Sequence, residues 1–68
     1  MKIEQAKALK VGQIVRCPTD RGDITYTGKV EHIEETVHKN IYGVEYVWVT
    51  VAHPSGKSRH VWPSHRLS

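Results

Sequence analysis

Phenylalanine is absent from this chain, and cysteine occurs once, at Cys17. A lone thiol excludes an internal disulfide, and the lack of any Cys-x-x-Cys pair excludes the common thiolate zinc frames. No apolar run approaches the ~20 residues of a membrane-spanning helix. No glycine-rich phosphate loop is present, and no nucleophile is paired with a base in a recognisable motif. Acid is missing from the whole of the last third: no Asp or Glu follows Glu45. The opening Met1-Lys2-Ile3-Glu4-Gln5 has no apolar run and places an acid at once. That start does not read as a secretory leader, and with a single thiol it leads to the expectation of a soluble, cytoplasmic protein with no membrane partner.

What is present fits one small domain spanning residues 1–68. Apolar residues make up 38% of the chain and charged residues 25%, a balance that supports a folded core and argues against disorder. A domain of this size sits near the lower limit of independent stability, so it needs a closed architecture, a staple or a partner subunit. Trp48, Trp62, Tyr26, Tyr42 and Tyr46 supply all the aromatic bulk. Each carries a polar handle that suits a half-exposed surface as well as a core. Residues 1–45 hold seven Lys/Arg and seven Asp/Glu and are neutral; the net charge of +3 comes entirely from Lys57, Arg59 and Arg66. Such a strip attracts polyanions or an acidic protein, or is an ordinary solvated face.

The pattern along the chain is that of short strands and turns. Ile3 to Leu9 reads as a short helix or turn that must dock on something, and Lys10-Val11-Gly12 breaks it. Gln13 to Cys17 reads as a first strand stopped by Pro18. Thr19 to Asp23 is dense in turn formers, and its Arg21-Gly22-Asp23 reads as a turn rather than an adhesive tripeptide. A second strand is marked by Gly28, and Val30 and Ile33 share its inner face if a β-bulge lies between them. Glu34 to Asn40 reads as an exposed loop. Tyr42 to Ala52 reads as one central strand, with Tyr46, Trp48 and Thr50 on one face and Val47, Val49 and Val51 on the other. Apolar residues on both faces imply a central strand with both sides covered, or one side in a subunit interface. His53 to Lys57 is a tight turn, Ser58 to Trp62 a further strand, Pro63-Ser64-His65 a one-turn helix, and Arg66-Leu67 a last short strand. The fold class is mainly β: a small, strongly bent five-stranded barrel.

Leu9-x-x-Gly12-x-x-Val15, Gly28-x-Val30, Tyr46-Val47-Trp48-Val49 and Val61-Trp62-x-x-x-x-Leu67 together resemble the SH3-like barrel superfamily, which includes KOW and Tudor modules. Gly12-x-x-Val15-Arg16, Gly28-x-Val30, Ala52-His53-Pro54 and Val61-Trp62-Pro63 are also similar to the type II dihydrofolate reductases, which are tetramers of such barrels. The resemblance implies a ligand-binding oligomer. The chain departs from that family where it matters for ligands, because Arg59-His60-Val61-Trp62 replaces its Val-Gln-Ile-Tyr motif and its lysine position falls near Cys17. The likeness therefore supports the barrel rather than folate reduction, and leaves self-association open.

The chemistry-bearing residues do not assemble an enzyme. Glu34 and Glu35 are adjacent and would face opposite ways in a strand, so they make no carboxylate pair. Cys17 beside Arg16 is a candidate low-pKa thiol, but a strand cysteine is more often a small core residue. Histidines 32, 38, 53, 60 and 65 show no metal-ligand spacing, so no metal and no cofactor is expected. The cluster that remains is Lys57, Arg59, His60, Trp62, His65 and Arg66, where cations beside an indole suit phosphate contact plus base stacking. Strand alternation puts Arg59 and Val61 on one side and Ser58, His60 and Trp62 on the other. Tyr46 and Trp48 extend the stacking surface if their face is open; otherwise Trp48 and Trp62 fill the phenylalanine-free core. The sequence thus leads to a non-enzymatic binding module for nucleic acid, of the size of a phage or mobile-element accessory protein. The alternative is a module that docks an acidic partner protein.

Overall fold

The computed structural model describes residues 1–18 and 25–68. The Arg21-Gly22-Asp23 turn lies outside the described residues. A short helix α1 (Ile3–Lys7) precedes β1 (Ile14–Pro18), β2 (Thr25–Ile33), β3 (His38–Lys39), β4 (Glu45–Tyr46), β5 (Trp48–Ala52) and β6 (Arg59–Pro63), and a single 3₁₀ turn (Ser64–Arg66) follows. The mainly β class, the N-terminal helix and the one-turn helix near the end are as the sequence implies. The strands are distributed differently from five in one barrel. β1-β2-β5-β6 form a four-stranded antiparallel sheet, and β3-β4 form a separate two-stranded ribbon.

The core lies on one face of the sheet. Val15, Val30, Val49 and Val51 are buried there with Cys17, and Ala6, Val47 and Leu67 close over them. α1 is too short to be stable in isolation; it holds because Ala6 is buried and Ile3 and Leu9 pack against the cluster. The register of β2 on β5 shifts between Val30 and His32, so Val30 meets Val51 while Ile33 meets Val49. This is the bulge that the three-residue spacing of Val30 and Ile33 requires. Gly28 lies inside β2 rather than at its start. A Cβ there would run into the Val51 side chain and the Ala52 carbonyl, so glycine permits the close approach of β5.

The expected long strand over Tyr42 to Ala52 is broken twice. Asn40 builds a turn: its Oδ1 accepts the Tyr42 and Val44 amides at 2.9 and 3.0 Å, and Gly43 takes a φ of +79°. Ile41 and Tyr42 stand out from that turn, 91% and 83% exposed. Part of the expected loop, His38–Lys39, becomes the partner of Glu45–Tyr46. Val47 then leaves the ladder because its amide and carbonyl both go to Ser64: N–H to the Ser64 Oγ at 3.0 Å, and C=O from the Ser64 N–H at 2.9 Å. The inner-face assignment of Val47, Val49 and Val51 holds, since all three are buried. The opposite face is not covered, because Trp48 is 37% exposed. No strand forms over Arg66-Leu67. Arg66 ends the 3₁₀ turn, Leu67 is buried, and Ser68 exchanges two backbone hydrogen bonds with Arg16 of β1, at 2.7 and 3.1 Å. Among the described residues no helix is long and apolar enough to cross a membrane.

Candidate functional site

β6 sets the parity of the candidate residues. His60 stands opposite Val51 and Trp62 opposite Val49, so both side chains belong to the core side of the sheet, at its rim. Arg59 stands opposite Ala52 and Val61 opposite Thr50, on the other side. This is the division that strand alternation implies. The tight turn before β6 also forms, with Gly56 at φ +74° and its amide on the His53 carbonyl at 2.8 Å.

The six cluster residues divide into four places. His60, Trp62 and Arg66 come together: the Arg66 guanidinium carbon lies 5.3 Å from the Trp62 ring centroid, a cation–π distance. Two residues that the sequence does not single out complete this group. Trp62 donates its Nε1–H to the Tyr26 hydroxyl at 3.0 Å. Tyr26 lies 5.0 Å from the His53 ring and 6.5 Å from the His60 ring, and the two imidazoles are 6.3 Å apart. The Nδ1 of His53 lies 2.9 Å from the Ser55 Oγ and 3.2 Å from the Ser55 amide, which ties the ring to the turn. The signal that could have found Tyr26 is register: Tyr26 pairs with Cys17, so its side chain shares the core side with His60 and Trp62.

His65 goes elsewhere. Its ring packs edge-on against Tyr46 at 5.3 Å, Trp48 meets the same ring edge-on at 5.4 Å, and His38 stacks on it at 5.6 Å. The His38 Nε2 in turn lies 3.3 Å from a Glu34 oxygen. The His65 Nδ1 is buried there without a hydrogen-bond partner among the described residues. Tyr46 and Trp48 thus form a second ring group with His65 rather than an extension of the Trp62 surface. Arg59 is on the opposite side of the sheet and pairs through Nε with Glu31, so its charge is compensated. Lys57 sits in the exposed turn, its amide bonded to the Ser55 Oγ at 3.3 Å.

Of the two readings of Trp48 the open face holds, since it lies at the surface, and Trp62 is half-buried. Cys17 is fully buried under Tyr26, and desolvation pushes its thiol above the ordinary range against a smaller opposing effect of the Tyr26 hydrogen bond. Arg16 points to the other face by alternation and does not activate it. Desolvation likewise raises the Tyr26 hydroxyl, with the Trp62 hydrogen bond working the other way. Among the described residues no three His, Cys, Asp or Glu side chains converge on one point. Comparison with protein-family models, with curated proteins and with solved structures returned no match to this chain.

Proposed function

We propose that this chain is a nucleic-acid-binding module whose contact surface is the Trp62–Arg66–His60 side of β6. The observation that carries the reading is the Arg66 guanidinium poised over the Trp62 indole, beside the half-exposed Tyr26 and His53 and the exposed His60. A guanidinium on an indole makes a flat cationic plate: its faces stack on a base and its N–H groups meet a phosphate. The hydrogen bond from Trp62 to Tyr26 fixes the plate, so little side-chain entropy is lost on binding. Lys57 stands on the turn at the same end of β6 as His60 and adds a second cation for the backbone. Among the described residues neither Lys57 nor Arg66 is ion-paired, whereas Arg59 is. Lys57 and Arg66 are therefore assigned the phosphate contacts and Arg59 is not.

No chemistry is required of the site, and readout is by stacking and charge, so sequence preference is expected to be modest. The test is electrophoretic mobility of random single- and double-stranded DNA and RNA at two salt concentrations. Retarded complexes at low salt that dissolve as salt rises are expected. No shift of any of the four at low salt would overturn the reading. One observation favours the second reading, a protein-docking module: the rigid Asn40 turn holds Ile41 and Tyr42 almost wholly in solvent. On that reading an acidic partner binds after nuclease treatment and is lost on Tyr42→Ala.

A further inference from the structure

The four-stranded sheet ends at β6, and the phase of its hydrogen bonds shows which backbone groups face outward. The His53 amide bonds the Ser58 carbonyl at 2.9 Å before the strand, and the Ser64 amide bonds the Val47 carbonyl at 2.9 Å after it. Val51–His60 and Val49–Trp62 fall at two-residue steps between those points, so they are the hydrogen-bonded pairs. Arg59, Val61 and Pro63 then turn their backbone groups away from β5. Pro63 fits this phase because it has no N–H to place there. Among the described residues no hydrogen bond is made by the Arg59 or Val61 amide outside the sheet. Among the described residues β6 is thus an open edge whose ends carry Arg59 and Pro63 but whose middle is Val61, 58% exposed.

We propose that this edge is the interface between two copies of the chain, paired antiparallel about a two-fold axis through Val61. The edge is self-complementary in that register. Val61 meets Val61 of the second copy and exchanges both hydrogen bonds with it, and each Arg59 amide meets a Pro63 carbonyl. All the outward donors of both strands are used. His60 of each copy faces Trp62 of the other, which continues the ring group across the axis. The two Arg59 side chains stand opposite prolines rather than each other. The neighbouring register, centred on His60, sets Arg59 opposite Val61 and gives up the apolar Val61–Val61 contact on the axis, so it is the less complementary of the two. Trp48, cross-strand from Pro63, lies beside Val61 on the exposed sheet face and adds apolar area next to the axis. A closed two-fold pair also removes the edge that would otherwise recruit further strands. If the nucleic-acid reading holds as well, pairing joins two acid-free segments into one strip and doubles the cationic footprint.

The test is sedimentation equilibrium of nucleic-acid-free protein from micromolar to millimolar concentration. The mass should rise from 7.8 kDa toward twice that value. Each copy carries a net charge of +3, so added salt should tighten the pair while it loosens nucleic acid. Val61→Pro removes an outward amide that the monomer does not use, and should weaken pairing about tenfold or more. Val61→Lys sets two cations on the axis and should do the same without any change of backbone. Val61→Cys should cross-link to itself through a short thiol-to-thiol reagent, because a hydrogen-bonded antiparallel pair sets its two Cβ atoms about 5.5 Å apart, just beyond the reach of a relaxed disulfide. A mass of 7.8 kDa throughout, pairing unchanged in both the proline and lysine variants, or faster cross-linking of His60→Cys than Val61→Cys would each overturn the proposal. A monomer that still retards nucleic acid would sink the pair alone, and a pair that retards none would sink the nucleic-acid reading alone.

Discussion

Two ring groups flank the end of β6, and they are built on different principles. The first (Tyr26, His53, His60, Trp62 and Arg66) is tied by a polar handle, the Trp62 Nε1–H on the Tyr26 hydroxyl, and lies above the buried Cys17. The second (His38, Tyr46, Trp48 and His65) is held by ring packing, with Glu34 on one imidazole. Among the described residues the guanidinium of the first is unpaired, whereas the second carries a carboxylate. Similar residue types therefore make a cationic plate in one place and a carboxylate-bearing surface in the other. The difference lies in which charged neighbour the chain delivers, not in the rings themselves.

The largest break in this comparison comes from the residue between the groups. Ser64 holds both backbone groups of Val47 and starts the turn that sends His65 one way and Arg66 the other. Ser64→Ala leaves the Val47 amide buried without an acceptor and should cost about 1–3 kcal/mol, read by denaturant unfolding. It should disorder both groups together. A smaller effect separates them. Trp62→Phe removes the bond to Tyr26 and should cost about 0.5–1.5 kcal/mol while also weakening nucleic-acid retention. Trp48→Ala removes one edge-on contact at an exposed site, should cost no more than about 1 kcal/mol, and should weaken retention less than Trp62→Phe. Equal loss of retention in the two variants would erase the distinction between the groups.

The smallest effect is an alkaline pH dependence from Tyr26 and the thiol beneath it. Burial raises both the Cys17 thiol and the Tyr26 hydroxyl in the folded state. Above the ordinary thiol value of about 8.5 the unfolded chain gives up protons that the native chain keeps. The contribution is thus complete below that pH and is lost as pH rises through the raised folded values. Stability should fall on the alkaline side, and the native thiol should react slowly with a thiol reagent at neutral pH. Rapid modification of Cys17 in the folded protein would contradict its place in the core.

Local pattern made much of this legible. The three-residue gap between Val30 and Ile33 required a bulge, the glycine of His53–Lys57 a turn, and alternation the two sides of β6. Those features are set by neighbours in the chain. The partition of the cationic cluster was not legible. Arg59 is neutralised by Glu31, 28 residues away, through the register of three strands. His65 and Arg66 are adjacent, yet a 3₁₀ turn rotates successive side chains by about 120°, so they serve different groups. The break at Val47 depends on Ser64, 17 residues on.

By itself, then, the sequence determined a mainly β chain with its bends, its turns and an acid-free last third, because periodicity, glycine placement and composition act over a few residues. Tertiary structure alone decided, among the described residues, which cations lack an ion pair, which rings touch, that Trp48 faces solvent and that β6 is an edge. Those outcomes depend on strand order and register, which bring together residues that the chain itself keeps far apart.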